Sequence, residues 1–243
     1  MWESDPTVRV PRIQRTQDRD GSSSREQKVT VAHPTKEQLA AYASGAQSEG
    51  MSLLIASHLT FCPQCRAVVE QYEALGAAVM MSAADVSEIE VPSLEACMAK
   101  LDVLGGQTEP VADHGSPMPM PLRSVLDHTP IDDLNWKFRM PGLHEFELDG
   151  FEGEHVSLLR VRPGTGMLHH THEGEEATLI LTGEMEDNGT VYRKGDVALA
   201  DHNDDHKPRV IGDEICYCLI VMSGNMRFTG PVSRALNLFT RTS

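Results

Sequence analysis

Long apolar runs are missing from this chain of 243 residues. A helix that crosses a membrane needs about 20 consecutive apolar residues, and no stretch of that length occurs. No apolar segment follows the charged residues near the N-terminus either, so we expect no secretory signal. The sequence therefore predicts a cytoplasmic protein that is not inserted into a membrane.

Cysteines and basic residues are also scarce. Five cysteines in a cytosolic chain of this size do not indicate a disulfide framework. Lys and Arg number 21 against 36 Asp and Glu, which gives a formal net charge of −15. Such a surface repels a phosphate backbone, so we expect no direct contact with nucleic acid. A basic protein partner, or simple solubility, suits this charge.

The first part of the chain carries helical patterns after a polar start. Residues 1–28 are polar and of mixed charge, and they predict a disordered leader. In residues 29–107, Thr35 and Gln38 form a capping-box sequence that opens a helix, and Pro63 stands where a later helix would begin. We expect a small all-α domain of four helices here, the last of them short.

The second part of the chain has a β-rich texture. Residues 108–124 contain several prolines and predict an extended linker. From residue 125 to residue 243, short β-rich runs alternate with Gly, Pro and Asp turns, and the clearest runs are Val156–Val161, Ala177–Leu181 and Cys216–Met222. The expected fold class is thus α+β in two domains, a helical domain followed by an all-β sandwich or barrel.

A cluster of metal-binding residue types lies in the helical part. His58 and Cys62 are four residues apart, one helical turn, and Cys65 follows at the spacing that lets two thiolates bind one ion. His33 is the only other histidine or cysteine between residues 1 and 96, which makes it the natural fourth ligand. The set predicts a closed tetrahedral zinc site. The alternative, two buried cysteines and a surface histidine, would leave a very small domain without a stabilising metal.

A second cluster lies in the β-rich part, in a segment that resembles the first cupin motif. The segment reads Gly-x5-His170-x-His172-x3-Glu176-x6-Gly. His170 and His172 are two apart on a predicted strand, so both imidazoles face one side, and Glu176 returns to that side after a turn. These three side chains suit zinc, manganese or iron, and their spacing alone does not choose among the metals.

The fourth ligand of this second cluster is expected to be His206. The second cupin motif places a histidine eleven residues after a glycine, and Gly195 has His206 at that distance. This half of the resemblance is weaker, because the residues that flank the histidine differ from the motif at several positions. We expect the neighbouring His169 and His202 to be exposed or to support the ligands, and the alternative of a cupin without metal stays open.

Both motifs together resemble the ChrR-type zinc anti-sigma proteins. The text around the first cluster, Gln38-Leu-Ala-Ala-Tyr-Ala-Ser-Gly-Ala46, is similar to their zinc-binding domain, and the cupin follows in the same order. The resemblance implies that helices around a structural zinc clamp a sigma factor of the extracytoplasmic-function group. It also implies that the cupin senses an oxidative signal, such as singlet oxygen or organic peroxide, and that the response frees the sigma factor.

The sequence is compatible with three functions. They are an anti-sigma regulator without catalytic activity, a cupin metalloenzyme of the dioxygenase or isomerase type, and a metal-dependent binding module with no sigma partner. The enzyme leaves the zinc domain without a purpose, so the regulator is favoured. We further expect a fragment that ends near Pro117 to fold and to bind the sigma factor alone. The expected contact surface is apolar and comprises Met51, Leu54, Ile55, Val68 and Val69.

Overall fold

The computed structural model describes residues 32–83, 92–103 and 116–230. The predicted leader and residues 108–115 of the predicted linker lie outside these ranges. In the part of the chain that is described, no helix is both long and apolar enough to cross a membrane. These described residues form five α-helices: α1 (Lys36–Ala43), α2 (Glu49–Phe61), α3 (Pro63–Ala83), α4 (Leu94–Val103) and α5 (Met120–Val125).

Local sequence signals explain where the first three helices begin and end. The predicted capping box is present: the Gln38 amide donates to the Thr35 hydroxyl, and the Thr35 amide donates to the Gln38 side chain. Gly45, with φ of +70°, follows the end of α1. Pro63 is the first residue of α3, where its missing N–H costs no hydrogen bond. Helix α2 therefore ends one residue before α3 begins, with Cys62 between them.

In the β-rich part, the residues up to 230 that the structure describes form a cupin of eleven strands. A six-stranded antiparallel sheet has the order β1-β2-β3-β10-β5-β8, a three-stranded sheet has the order β7-β6-β9, and β4 pairs with β11. The strands are β1 (Lys137–Met140), β2 (Leu143–Leu148), β3 (His155–Val161), β4 (His170–His172), β5 (Glu176–Thr182), β6 (Glu184–Asp187), β7 (Thr190–Arg193), β8 (Val197–Ala200), β9 (Arg209–Ile211), β10 (Cys216–Met222) and β11 (Met226–Phe228).

The central strands of the large sheet, β3, β5 and β10, are buried on both faces. Alternate residues of β5 and β10 face the barrel interior, where Ile180 and Cys218 pack with Met185 of β6 and Val210 of β9. The other alternate residues face a second core on the outside of the sheet. Strands that are buried on both faces have nearly continuous apolar sequences, which explains why the three runs predicted as strands were so distinct.

The outer core joins the helical part to the cupin. Leu53 and Leu54 of α2 and Leu122 of α5 pack on the outer face of the large sheet. Leu54 and Leu122 have no exposed surface. The opposite face of α2 contributes Ile55 to a smaller core between α1, α2 and α3. Helix α2 thus packs in two cores, one with the cupin sheet and one with the other helices.

The packing of α2 and α5 on the cupin changes two expectations about how the helical part and the cupin are connected. Residues 116–124 of the predicted linker contain the start of α5, and its Leu122 is fully buried, so this stretch is not an extended linker. A fragment that ends near Pro117 would also expose Leu53 and Leu54 to water. We therefore expect such a fragment to be less stable than the same helices in the full chain.

The contact between α2 and the cupin yields a stability prediction. A Cβ atom at Gly50 would stand 2.7 Å from both the Glu154 carboxylate and a Val156 methyl group. Gly50→Ala should therefore destabilise the protein by about 1–3 kcal/mol in urea denaturation, because α2 can no longer lie against the sheet.

Gly76→Ala is the matched control, because Gly76 lies within helix α3 and a Cβ there meets nothing within 4 Å. That change should be neutral or stabilising by about 0.5–1 kcal/mol, as alanine favours helix. Equal effects of the two substitutions would contradict the close packing of α2.

Candidate metal centres

The first predicted cluster is assembled where α1, α2 and α3 meet. His58 lies in the last turn of α2, Cys62 caps that helix, and Cys65 lies in the first turn of α3. His33 precedes α1 and faces the two sulfurs. One ligand atom from each of these four side chains lies within 4.8 Å of the others. The structure therefore brings together all four residues that the sequence nominated.

The distances within this cluster suit a tetrahedral ion. His33 Nδ1 is 3.5 Å from the Cys62 sulfur and 3.5 Å from the Cys65 sulfur. Bonds of about 2.0–2.3 Å to a tetrahedral zinc ion place neighbouring ligand atoms at about this separation. The Cys65 amide also donates to the Cys62 sulfur at 3.4 Å, which is a common way to hold a thiolate at a helix start.

The His58 side chain leaves one nitrogen for a metal. Its Nδ1 donates a hydrogen bond to the carbonyl oxygen of Gly195 at 2.7 Å. Its Nε2 is fully buried and has no hydrogen-bond partner among the described residues. Leaving a buried polar atom unpaired costs about 1–3 kcal/mol, so the arrangement is favourable only if a metal ion or similar group satisfies Nε2.

The pKa shifts of Cys65 and His58 also indicate a cation site. Burial and the neighbouring Cys62 thiol raise the pKa of Cys65 to about 12 when no cation is present. Burial also lowers the pKa of His58. A neutral imidazole beside the Cys65 thiol, whose raised pKa a bound cation would offset, fits the donor set of a cation site.

The second predicted cluster lies inside the cupin barrel. His170 and His172 belong to β4, Glu176 begins β5, and His206 forms a two-way backbone pair with His170. All four are buried, and their ligand atoms lie within 4.8 Å of one another. Nε2 of His172 is 2.9 Å from Nε2 of His206 and 3.4 Å from a Glu176 oxygen.

Neighbouring groups orient these side chains toward a common point. His170 Nδ1 donates to the Leu168 carbonyl at 2.7 Å, which leaves its buried Nε2 without a partner among the described residues. His206 Nδ1 is 2.8 Å from the Asp187 carboxylate. The Thr178 hydroxyl donates to one Glu176 oxygen. Outer partners of this kind fix the ring orientation and tautomer of metal ligands.

Burial keeps two of the three imidazoles neutral at pH 7. It lowers the pKa of His170 and of His172 to about 4. Burial also lowers the pKa of His206, but the Asp187 carboxylate outweighs this effect and raises it. Three imidazoles and one carboxylate are a donor set that zinc, manganese and iron accept.

The other histidines and cysteines of the described residues lie outside both clusters. His169 and His202 are exposed, as expected. Cys216 and Cys218 point into the barrel core, where they fill apolar space. Cys97 lies exposed on α4.

Sequence reasoning missed several supporting groups. Asp187, which holds His206, lies in a hairpin nineteen residues earlier, and a lone carboxylate carries no sequence signal for this role. The carbonyls of Gly195 and Leu168 act through the backbone, so residue type does not reveal them. Thr178 could have been found, because it is two residues beyond Glu176 on the same strand face.

Comparison with known proteins supports the resemblance for both parts of the chain. Residues 126–226 match the family model of the ChrR cupin-like domain. The anti-sigma-E factor ChrR of Cereibacter sphaeroides is 29% identical over 214 residues, which is 88% of this chain and 100% of that protein.

A solved structure matches as well. The crystal structure of Rhodobacter sphaeroides SigE in complex with the anti-sigma ChrR aligns with a TM-score of 0.62 and 27% identity, over 79% of this chain and 98% of the other. The chain thus combines a helical region that holds a candidate metal cluster with a cupin, and it resembles the ChrR-type anti-sigma factors along most of its length.

The first cluster yields a prediction about metal content. The Cys62→Ser/Cys65→Ser variant should lose one metal ion per chain, measured by elemental analysis. It should also lose helical signal in circular dichroism, since metal binding and folding are coupled in small closed sites.

Cys97→Ser should retain the full metal content and helical signal, because Cys97 lies outside the cluster. A double variant with unchanged metal content would show that the two sulfurs are not ligands. A metal-free double variant with the wild-type helical signal would show that the metal is not structural.

Proposed function

We propose that this protein is a cytoplasmic anti-sigma factor that sequesters an extracytoplasmic-function sigma factor through its helical part and releases it when the cupin responds to oxidative stress. The observation that carries the proposal is the presence of both clusters in one chain that aligns with the full length of ChrR. A relative of this kind holds SigE in a solved complex. The function is regulatory rather than enzymatic.

Each cluster takes a separate metal in this proposal. His33, His58, Cys62 and Cys65 hold zinc, since two sulfurs and two nitrogens fill a closed tetrahedral site. This set leaves no position for substrate, which is the mark of a structural ion. His170, His172, Glu176 and His206 hold zinc, manganese or iron. When bound, that metal provides a centre whose ligands an oxidant can alter.

The surface that meets the sigma factor differs from the one the sequence suggested. Leu54, Ile55 and Val69 are buried in the protein's own cores, and Met51 and Val68 pack partly against them. For Leu54, Ile55 and Val69 that prediction was wrong, because these side chains are already packed inside the protein. Six large apolar residues that are exposed lie instead on the second half of α3 and on α4.

This second set forms what we call the α3–α4 apolar surface. Its members are large apolar side chains, each more than half exposed: Leu75, Val79, Met80, Met81, Leu94 and Met98. Large apolar side chains that are left in water in such number commonly mark a surface that binds another protein. Methionines adapt their shape to a partner because their side chains are unbranched and flexible. We assign the sigma factor to this surface.

The assignment predicts the effect of charge on the α3–α4 apolar surface. Leu75 and Val79 are 62% and 57% exposed and share one face of α3, being four residues apart. Leu75→Glu/Val79→Glu should weaken sigma binding in calorimetry by about 100-fold or more, if each side chain contributes the roughly 2 kcal/mol of an interface hot spot.

Phe138→Glu supplies a matched control, because Phe138 is 65% exposed but lies on β1 of the cupin. It should bind the sigma factor as the wild type does. Metal content and the unfolding transition should stay unchanged in both variants. Wild-type affinity in the α3 double variant would remove this surface from the interface.

The cupin cluster is proposed to control release rather than binding. Its four ligands are inside the barrel, whereas the α3–α4 apolar surface lies on two helices outside the barrel, of which α3 packs with α1 and α2. A sensor changes an equilibrium only if the signal favours one of its two states. A chemical change at or near the ligands of the cupin metal would supply that difference.

His170→Ala/His172→Ala should therefore bind the sigma factor with near wild-type affinity but fail to release it under an oxidant. Sigma-dependent transcription, measured with and without the stressor, should remain low in this variant. His169→Ala is the control, because this neighbour of His170 is exposed, and it should keep both the cupin metal and the induction.

Full induction in the double variant would exclude the cupin metal from the response. Constitutive transcription in the absence of stress would mean that the cupin cluster is needed for binding after all.

A further inference from the structure

The turn between β7 and β8 reaches the helical metal cluster from the cupin. Gly195 in this turn accepts the hydrogen bond from His58 Nδ1. Its own amide donates to Ile180 of β5 at 2.8 Å, so the turn is anchored on the large sheet. Both contacts use backbone atoms, which hold the Gly195 carbonyl at a fixed place on a rigid element.

The same turn also holds the segment that carries His33. The amide of Val197 donates to the carbonyl of Ala32 at 2.9 Å, and Ala32 is the residue before His33. Two of the four proposed ligands, His33 and His58, therefore have their positions fixed from the cupin. The two cysteines lie at the end of α2 and the start of α3 and pack with the other helices of the small core.

Close approach of the turn to α2 depends on glycine. Gly195 has φ of +92°, and a Cβ atom there would stand 2.9 Å from the Cβ of Phe61. The ammonium group of Lys194 lies 5.3 Å from the centre of the Phe61 ring, which adds a favourable contact beside the turn. A side chain at position 195 would therefore push the carbonyl away from His58.

We propose that the cupin completes the helical zinc site, with the Gly195 carbonyl as a positioning group for the ligand His58. This inference rests on the proposed zinc site. A carbonyl oxygen only accepts hydrogen bonds, so His58 Nδ1 carries the proton and Nε2 is the metal-binding atom. The contact selects the tautomer and fixes the ring. Zinc affinity in the helical part is then a property of the two parts together.

The turn also links the two clusters. Strand β7, which leads into it, pairs with β6, and Asp187 of β6 holds His206 of the cupin cluster. One β-hairpin thus contacts a ligand of the cupin metal through Asp187 and a ligand of the zinc through the turn that follows it. A displacement of this hairpin would reach both clusters.

The test compares Gly195→Ala with Gly189→Ala in the full-length protein. Gly189 has φ of +81°, and a Cβ atom there would meet nothing within 4 Å, so Gly189→Ala introduces the same kind of backbone strain without the contact to α2. The probe is Co²⁺, because its absorption from thiolate ligands reports the cysteine-containing cluster and not the cupin cluster.

Gly195→Ala should bind Co²⁺ about 10- to 100-fold more weakly than Gly189→Ala, the range found when an outer partner of a metal ligand is lost. Equal affinities would overturn the inference and leave the proposed zinc ligands intact. No thiolate absorption in the wild type would overturn both. No sigma factor takes part, so the result is independent of sigma binding.

If Gly195→Ala does not fold, a measurement on the wild type tests whether the Gly195 carbonyl positions His58. Nitrogen NMR of the zinc-loaded protein should show His58 with zinc on Nε2 and a slowly exchanging proton on Nδ1. Zinc on Nδ1, or an Nδ1 proton in fast exchange with water, would overturn the inference.

Discussion

Helix α2 is the element on which the rest of the structure depends, because each of its faces belongs to a different core. Leu53 and Leu54 close the outer core of the cupin sheet, and Ile55 closes the small core of the helices. The cupin also holds both ends of α2: Glu154 accepts hydrogen bonds from Ser48 and Gly50 at its start, and the Gly195 carbonyl accepts one from His58 near its end. A negative carboxylate at a helix N-terminus is favourable for the helix dipole.

The two clusters share one arrangement of hydrogen bonds around a histidine. In each, one buried imidazole has a nitrogen paired to a backbone carbonyl and the other nitrogen unpaired among the described residues. This is stable only if another group satisfies the free nitrogen, and four convergent donors provide the place for a cation. The clusters differ in softness: two thiols and two imidazoles favour zinc, whereas three imidazoles and a carboxylate accept several metals.

All eight proposed ligands were nominated from the sequence, most of them by helix and strand spacing, which decides which side chains share a face. His33 was chosen as the one other histidine or cysteine in its region, and His206 by the resemblance to the second cupin motif. Strands β3, β5 and β10 were also recognisable, since burial on both faces makes them apolar throughout. What could not be predicted depends on contacts between distant segments. The packing of α2 on the cupin removed Leu54 from the expected interaction surface, and the Gly195 and Leu168 carbonyls have no residue signature.

The most direct test of the account is a binding measurement with the metal-loaded, full-length protein and the purified extracytoplasmic-function sigma factors of the same organism. The account predicts that one of them forms a one-to-one complex and that, in this complex, the sigma factor no longer binds core RNA polymerase. If none binds, or if the bound sigma factor still associates with core polymerase, the protein is not an anti-sigma factor.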